Sequence, residues 1–262
     1  MDKFIVIKLG GSTLSSEDTI AQDIVSLQKQ GKSLVVVHGG GSLITEWLAR
    51  QGVPTRFVRG ERVTDKPALE VVIAVLAGLV NKEIVATVNS LGGRAVGISG
   101  VDGALVQSKV RDAEMGYVGT VVKVDTTVLE ALLRAGYVPI VSPIGFRADS
   151  AEAPQILNIN GDTAAGEIAA AISAKKLIFL TDVAGVCDKS GKLLPRLSRG
   201  EAEALIADGV ASGGMIPKLR ACLRALDAGS VARIIDGRPP HALAQEVEGR
   251  GEGTTIYAKN RS

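Results

Sequence analysis

Short apolar runs alternate with longer segments of helical periodicity along this chain. "FIVIKL" and "SLVVVH" are apolar on both faces, which is typical of strands buried in a parallel sheet. Between them, "SSEDTIAQDIVSLQKQGK" places Ile20, Ile24 and Leu27 on one face, and Ser15 or Ser16 can cap the helix. The alternation predicts an α/β fold with an open, mostly parallel central sheet and helices on both faces.

The same two patterns continue towards the C-terminus. Further strands are predicted at "AVGIS", "YVPIVSPI", "LIFLTDVAGV" and "ARIID". Further helices are predicted from about Pro67 to Leu91, at "GDTAAGEIAAAISAKK", and over about residues 200–208 and 215–228. The strongest change of character falls near residues 165–178, where an alanine-rich helix meets a new strand, so we predict that two lobes meet there.

Charge and composition exclude several classes of function. Lys plus Arg (30) nearly balance Asp plus Glu (28), and aromatic residues make up 3%, so no nucleic-acid-binding surface is predicted. The longest apolar stretch, residues 71–80, is half a membrane span, and no signal peptide precedes Phe4. Cys187 and Cys222 lack metal-site or redox spacing and are predicted to be small buried residues. We therefore predict a cytoplasmic protein with no membrane or nucleic-acid partner.

Glycine clusters directly follow two of the predicted strands, in "KLGGS" and "VVVHGGGS". Glycine weakens a strand interior, and glycines just past a strand allow a ligand to approach the backbone closely. The clusters are not standard nucleotide motifs. A Walker pattern fails because "GGRAVGIS" has Ile98 in place of its lysine, and GxGxxG fails because Ile44 replaces its last glycine. Two such turns side by side could bind an anion through backbone N–H groups, although tight structural turns would have the same composition.

Three charged residues sharpen this interpretation. Lys8 ends an apolar strand, where an ammonium group is costly unless it meets an anion or snorkels to water. Lys218 follows another glycine pair in "SGGMIPKL", and Asp162 follows Asn158 and Asn160 in "NINGDTAAG", where it could equally be a helix N-cap. Two lysines, an aspartate and glycine-rich turns are the components of phosphoryl transfer, which depends on positioning and charge neutralisation.

Nine sequence blocks in the same order indicate a family. They are "KLGGS", "VVVHGGGS", "GERVTD", "VNKEIV", "GGRAVGISGVDG", "GYVPIVSPIG", "NINGDTAAG", "KLIFLTDVAGV" and "GGMIPKLRACLRAL". From Lys8 to about Ile256 the chain closely resembles the amino acid kinase family. The resemblance implies an open α/β sheet of about eight strands in two lobes. Residues 1–170 would bind the acyl amino acid and form a dimer contact, and residues 171–262 would bind ATP.

The resemblance also implies the reaction. Members of the family phosphorylate a carboxylate with ATP and Mg²⁺ and release an acyl phosphate. The blocks are most similar to those of members that act on the side-chain carboxylate of N-acetyl-L-glutamate in arginine biosynthesis. No protein ligand for Mg²⁺ is implied, because in this family phosphates and water hold the ion.

Roles for individual residues follow from the resemblance. Lys8 and Lys218 would stabilise the transferring phosphoryl group from opposite sides, and Asp162 would hold the two ammonium groups in place. Arg62 would bind the α-carboxylate of the substrate, and Asn158 would contact the same amino acid. The backbone N–H donors to the phosphoryl group and the reacting carboxylate would be those of Gly11, Gly40 and Gly41. The adenine and ribose site would be lined by Asp182, Val183, Ala184, Gly185, Val186 and Cys187, and by Val210, Ala211 and Ser212.

One departure from the family pattern leaves the substrate open. Gly161 stands where the family usually has alanine. A glycine there also resembles related kinases that act on glutamate or aminoadipate attached to a small carrier protein, and these are the alternative prediction. A catalytically silent ligand sensor on the same fold is a remote alternative.

The helix predicted from Pro67 to Leu91 has more apolar residues than one stripe on a sheet requires. They are Leu69, Val72, Ile73, Leu76, Leu79, Val80, Ile84 and Val88, with Val71 and Val75 widening the stripe. Deep burial within one chain would explain the same pattern. The resemblance favours a homodimer through this helix. Because the first strand begins by Phe4, without the extra N-terminal helix of regulatory members, it also predicts insensitivity to arginine.

Overall fold

The computed structural model describes residues 4–10, 19–58, 60–150 and 154–258. The predicted capping residues Ser15 and Ser16 and the predicted substrate residue Gly11 lie outside the described residues. The strands are β1 (Ile5–Leu9), β2 (Leu34–His38), β3 (Phe57–Val58), β4 (Glu61–Arg62), β5 (Ala95–Gly100), β6 (Val106–Val110), β7 (Gly119–Val124), β8 (Val138–Arg147), β9 (Ile156–Asn158), β10 (Lys176–Thr181), β11 (Arg196–Ser198), β12 (Val231–Asp236) and β13 (Thr254–Tyr257).

Most of these strands form one sheet. Its order is β11-β13-β12-β10-β1-β2-β8-β6-β7, with β5 and β9 also paired to β8, while β3 and β4 form a separate hairpin. β1 pairs in parallel with both β10 and β2, and the antiparallel pairs are β12–β13, β6–β7 and β8–β9. The prediction of an open, mostly parallel sheet is confirmed. The resemblance implies about eight strands, which is too low for this 11-stranded sheet. The apolar pattern misses β9 and β11, which have 3 residues each, and β6 and β7, which pair antiparallel at one edge of the sheet and carry polar and exposed residues.

Helices cover both faces of the sheet. They are α1 (Ile20–Lys29), α2 (Gly41–Arg50), α3 (Lys66–Ile73), α4 (Asn81–Ser90), α5 (Thr127–Arg134), α6 (Gly161–Ala171), α7 (Arg199–Ala207), α8 (Met215–Asp227) and α9 (Ala242–Val247). On one face, Val6 and Val37 pack against α6 and α8, and on the other, Ile7 and Val36 pack against α1, α3 and α4. Because β1 lies beside β10, the sheet is continuous across residue 170, and the division into two lobes stays a prediction.

A π-helical segment, Ala74–Val80, joins α3 to α4, so Lys66–Ser90 is one long helix. Asp65 caps its start, and Gly92, with a φ of +80°, follows its end. Among the described residues this is the one helix long and apolar enough to cross a membrane by length and composition, and 44% of its most apolar window is buried in the chain. Val71 and Val75 are buried, so they do not widen an outward-facing stripe. Val75 lies in the π-helical segment, which has more residues per turn than an α-helix and rotates its positions relative to α3, whereas Val71 lies in α3 and packs into the core on that face of the sheet.

The two cysteines differ in environment. Cys222 is buried, as predicted, whereas Cys187 is exposed, so that part of the prediction is wrong. The reason is that the neighbouring Val186 takes the core position in the irregular segment after β10.

Candidate active site

Three charged side chains meet where β1, α6 and α8 come together. Lys8 lies near the end of β1, Asp162 in the first turn of α6, and Lys218 at the start of α8. The Nζ of Lys8 lies 2.7 Å from Asp162 Oδ1, and the Nζ of Lys218 lies 2.9 Å from Asp162 Oδ2. The structure therefore brings the three predicted catalytic residues into one ion-pair cluster, while their catalytic roles stay predictions.

A close helix crossing explains why Asp162 and Lys218 meet. A Cβ added to Gly166 in α6 would lie 2.8 Å from both the Cα and the Cβ of Ala221 in α8. The small residues Gly166 and Ala221 therefore let the two helix backbones approach closely at this point. Both charged residues lie about one turn before this crossing, so their side chains converge at the same end of the two helices.

Asp162 is not the N-cap of α6, which was the alternative role that its position in the sequence allowed. Asn160 is the N-cap of α6, and its Oδ1 accepts hydrogen bonds from the backbone N–H groups of Asp162 at 2.9 Å and Thr163 at 3.1 Å. The Asp162 carboxylate is left for the two lysines. Asp162 is 5% exposed and Lys8 is 8% exposed, so Lys8 does not snorkel to water.

The cluster carries a net positive charge. Burial alone would raise the pKa of the Asp162 carboxyl, but the Lys8 and Lys218 ammonium groups offset it and hold that pKa below its usual value. Asp162 is therefore ionised at neutral pH, and two ammonium groups face one carboxylate. The excess charge lies at the end of β1, where a ligand with several negative charges would be stabilised.

Glycine turns place helix N-termini next to this charge. Gly40 and Gly41 begin α2, and Gly214 precedes α8. Among the described residues, no side chain caps either helix and no acidic residue lies in either first turn. The first N–H groups of α2 are therefore available to an anion. In α8 the N–H groups of Met215 and Ile216 donate to the Ser212 and Gly213 carbonyl oxygens, and Pro217 has no N–H, so this helix start offers an anion no free donor at its first three positions.

Arg62, in the β3–β4 hairpin, directs its guanidinium group at the same turn. Its Nη2 donates to the Gly41 carbonyl oxygen at 3.0 Å and to Thr45 Oγ1 at 2.7 Å, and the group lies 4.8 Å from the centre of the Phe57 ring. Arg62 is 8% exposed, and burial lowers its pKa. All its hydrogen-bond partners among the described residues are neutral oxygens. A buried cation held by neutral groups favours an anionic ligand.

A cavity of about 230 Å³ lies between the ion-pair cluster and the hairpin. The predicted residues that line it are Lys8, Gly40, Gly41, Arg62, Asn158 and Asp162. Asn158 donates from Nδ2 to Thr64 Oγ1 at 3.0 Å. The cavity is also lined by Phe57 and Ile44, which none of the quoted sequence blocks contains. Its size suits a small molecule rather than a macromolecule.

The predicted nucleotide residues lie in two loops of the C-terminal half. Gly185, Val186 and Ala211 are buried, and the backbone N–H groups of Val186 and Ala211 donate to Thr254 Oγ1 and the Leu205 carbonyl oxygen. More accessible are Asp182, Val183, Ala184, Cys187, Val210 and Ser212. Val186 and Ala211 share one hydrophobic core, and the second loop runs into α8, which carries Lys218.

Similarity to known proteins extends over nearly the whole chain. The chain is 51% identical to an acetylglutamate kinase from Dehalococcoides mccartyi, over 98% of this chain and 95% of that protein. It is 46% identical to an acetylglutamate kinase from Cereibacter sphaeroides, over 96% of this chain and 87% of that protein. The crystal structure of smu.665 from Streptococcus mutans superposes with a TM-score of 0.84 at 30% identity, covering 99% of this chain and 100% of that one.

The family relationship rests on the length of the match as well as on these relatives. Residues 3–236 match the amino acid kinase family. That span contains the whole ion-pair cluster and the Arg62 hairpin. The chain therefore belongs to the amino acid kinase family.

Proposed function

We propose that this protein transfers the γ-phosphoryl group of ATP to the side-chain carboxylate of N-acetyl-L-glutamate and forms N-acetylglutamyl 5-phosphate. The names of relatives at 46% and 51% identity support the substrate. The observation that carries the chemistry is the Lys8–Asp162–Lys218 cluster beside a buried Arg62. One part of this arrangement suits a transferring phosphoryl group, and the other suits a carboxylate on the acceptor.

The chain's own groups act by position and charge. The attacking carboxylate oxygen forms a bond to the γ-phosphorus while the bond from that phosphorus to the ADP oxygen breaks. Lys8 and Lys218 neutralise charge on the moving phosphoryl group, and the N–H groups of Gly40 and Gly41 stabilise it from the turn. Asp162 fixes both ammonium groups in advance, so they do not reorganise during the reaction.

Arg62 and Asn158 bind the acceptor in this proposal. Arg62 pairs with the α-carboxylate, which supplies the anion that its neutral surroundings lack. Asn158, which also lines the cavity, contacts the same amino acid. The Phe57 ring supports the guanidinium group and presents an apolar surface to the acyl group.

ATP would approach from the C-terminal half. The exposed parts of residues 182–187 and 210–212 would contact adenine and ribose, and Lys218 in the first turn of α8 would face the phosphates. Both Asp162 oxygens are engaged by lysines, so we propose that phosphates and water hold Mg²⁺. When bound, the ion would neutralise phosphate charge.

The carrier-linked alternative gains no support from Gly161. A Cβ at this position would lie 3.4 Å from the His38 carbonyl oxygen and 3.5 Å from Lys8 Cε. These are ordinary contact distances, so an alanine would fit here. Gly161 therefore does not open the pocket to a larger substrate. The intact ion-pair cluster likewise favours an enzyme over a silent sensor. The proposal includes a cytoplasmic homodimer that arginine does not inhibit.

Hydroxylamine trapping tests the function directly. The protein with ATP, Mg²⁺ and hydroxylamine should release a hydroxamate and one ADP for each N-acetyl-L-glutamate consumed. L-Glutamate, which lacks the acetyl group, is the matched control and should react much more slowly. Reaction with carrier-linked glutamate alone would support the alternative, and binding of N-acetyl-L-glutamate without ADP release would support the sensor.

A further inference from the structure

A buried polar cluster lies beneath the glycine turn, on the face of the sheet away from Lys8. His38, the last residue of β2, is 0% exposed, and Asn81, the first residue of α4, is 1% exposed. Neither is among the described residues that line the cavity. Buried polar groups require hydrogen-bond partners, so their partners show which backbone they hold in place.

The partners of Asn81 determine the orientation of its amide. Its Nδ2 donates to the Ile140 carbonyl oxygen at 2.9 Å, and its Oδ1 accepts from Lys82 Nζ at 3.1 Å. A carbonyl can only accept and an ammonium can only donate, so the amide cannot be reversed. The same Nδ2 also lies 3.3 Å from the Ile98 carbonyl oxygen and 3.2 Å from His38 Nε2. A proton on Nε2 would set two donors against each other at this distance, so Nε2 is the unprotonated ring nitrogen.

The tautomer of His38 follows from this contact. With Nε2 accepting, the ring proton is on Nδ1, which donates to the Gly39 carbonyl oxygen at 2.8 Å. Burial lowers the pKa of His38 to about 4, against the opposing effect of the Gly39 hydrogen bond and with a smaller contribution from Lys8 and Lys82. The ring is therefore neutral at physiological pH.

The hydrogen bond to Gly39 also sets the direction of the next N–H. A trans peptide is planar, so the Gly39 carbonyl and the Gly40 N–H point in opposite directions. The carbonyl points at His38, beneath the turn, and Gly40 lines the cavity. The Gly40 N–H is thereby directed towards the side where Lys8 and the phosphoryl group would lie.

Close packing on the long helix holds the same turn. A Cβ at Gly40 would lie 2.7 Å from Leu76 Cδ2, in the π-helical segment. A Cβ at Gly97 in β5 would collide with the Asn81 amide. Both contacts require glycine, so the helix, the imidazole and the turn fit together in one arrangement.

We infer that His38 and Asn81 are positioning residues, which aim the Gly40 N–H at the transferring group by fixing the Gly39–Gly40 peptide. This inference rests on the proposed function. It places their effect on the chemical step rather than on substrate binding, because neither side chain is in the cavity lining.

Paired substitutions test the kinetic part. His38→Gln removes the donor at the Nδ1 position, and Asn81→Asp removes the donor to Nε2. Each should lower kcat by roughly tenfold to a hundredfold while both KM values change by less than about threefold. His38→Asn places an amide N–H where Nδ1–H stood and should recover most of the kcat lost in His38→Gln. Equal loss in His38→Asn and His38→Gln, or unchanged kcat in His38→Gln, would overturn the inference.

Nitrogen NMR tests the geometry without any substrate. With ¹⁵N-labelled histidine, His38→Gln identifies the His38 signals against those of His241, the second histidine of the chain. His38 should show the Nδ1-protonated neutral tautomer throughout about pH 5.5 to 8. An Nε2-protonated or titrating ring would reject the inference even in an active enzyme. Absence of hydroxamate with the expected tautomer would instead reject the proposed function.

Discussion

At the residue scale, Asp162 is central because it is the one buried carboxylate that two lysines share in this site. A single lysine would neutralise it and leave no net charge for a ligand. Two lysines leave one excess positive charge at the mouth of the glycine turns. The arrangement is therefore preorganised for an anion before the anion arrives.

Removal of either ammonium group should damage catalysis more than binding. We expect Lys8→Ala and Lys218→Ala each to lower kcat by about a hundredfold or more, with smaller changes in KM, because each removes a preorganised charge. Steady-state hydroxamate assays measure both constants. Lys32→Ala, at an exposed lysine, is the control. Unchanged kcat in both Lys8→Ala and Lys218→Ala would show that these lysines do not act in the chemical step.

Substitution of Arg62 should affect KM for N-acetyl-L-glutamate rather than kcat. Arg62→Ala should raise KM for N-acetyl-L-glutamate about ten- to a hundredfold, since a hydrogen bond to a charged group contributes about 1.5–3 kcal/mol. KM for ATP should stay nearly constant. Arg56→Ala is a matched control, because Arg56 is exposed and donates to the Glu114 carbonyl oxygen instead. An increase in KM for ATP alone would show that Arg62 binds ATP and not N-acetyl-L-glutamate.

His38 should make stability depend on pH. Its folded pKa of about 4 lies below the ordinary 6.5, so as pH falls through this window the unfolded chain binds the proton first and the folded state loses stability. The loss approaches about 3 kcal/mol at the lower end of the window. Urea unfolding of the wild type and His38→Asn at several pH values measures it. His241 is common to both proteins, so its contribution cancels. A difference independent of pH would show that His38 is not buried in its neutral form.

At the element scale, the crossing of α6 and α8 decides where the charged groups lie. Gly166 lets the two helices touch, and Lys8 arrives from β1 beneath them. The same three elements would be compatible with many crossing angles if larger residues stood at this point. The small residues are therefore part of the site, although they lie outside the cavity.

Substitution of Gly166 tests whether the close crossing of α6 and α8 requires glycine, because the expected change in stability has the opposite sign to that of an ordinary helix position. An alanine inside a helix usually stabilises relative to glycine by about 0.5–1 kcal/mol. Gly166→Ala should instead destabilise by about 1–3 kcal/mol and lower kcat, because the new methyl group overlaps Ala221 and separates the helices. Gly200→Ala in α7 is the control, since nothing lies within 4 Å of a Cβ there. A stabilising Gly166→Ala would show that the crossing tolerates more volume.

At the scale of the whole molecule, the long helix leaves an apolar strip uncovered. Leu69, Val72 and Leu76 are buried on the sheet, whereas Ile73 and Leu79 are partly exposed and Gly78 is fully open. Burial within one chain accounts for most of the apolar width in the sequence, but not for this strip. A second copy of the chain would cover it across a two-fold axis.

Mass in solution tests this assembly. Light scattering should give about 54 kDa, twice the 27.1 kDa chain. Gly78→Arg should yield the monomer, because a Cβ at Gly78 has open space and the charge disrupts only a dimer contact. Gly200→Arg, at another open glycine, should leave the dimer intact. A monomeric wild type would reject the assembly, and inhibition by millimolar arginine would separately reject the predicted insensitivity.

The sequence by itself determined the buried strands, the long helix, the glycine turns and the identity of the charged residues near them. These features are local, because burial on both faces of a strand or one face of a helix sets the spacing of apolar positions. The short strands β9 and β11 escaped this signal, since three residues do not establish a period. The edge strands β6 and β7 escaped it as well, because their polar and exposed residues interrupt the apolar run.

The tertiary structure alone decided which distant residues meet. It made Asn160 rather than Asp162 the cap of α6, exposed Cys187, buried Val71 and Val75 in the core, and joined Asn81 to His38. Each outcome depends on the register of strands and the crossing of helices far apart along the chain. Local periodicity is the same for many such arrangements, so only close packing in three dimensions selects one of them.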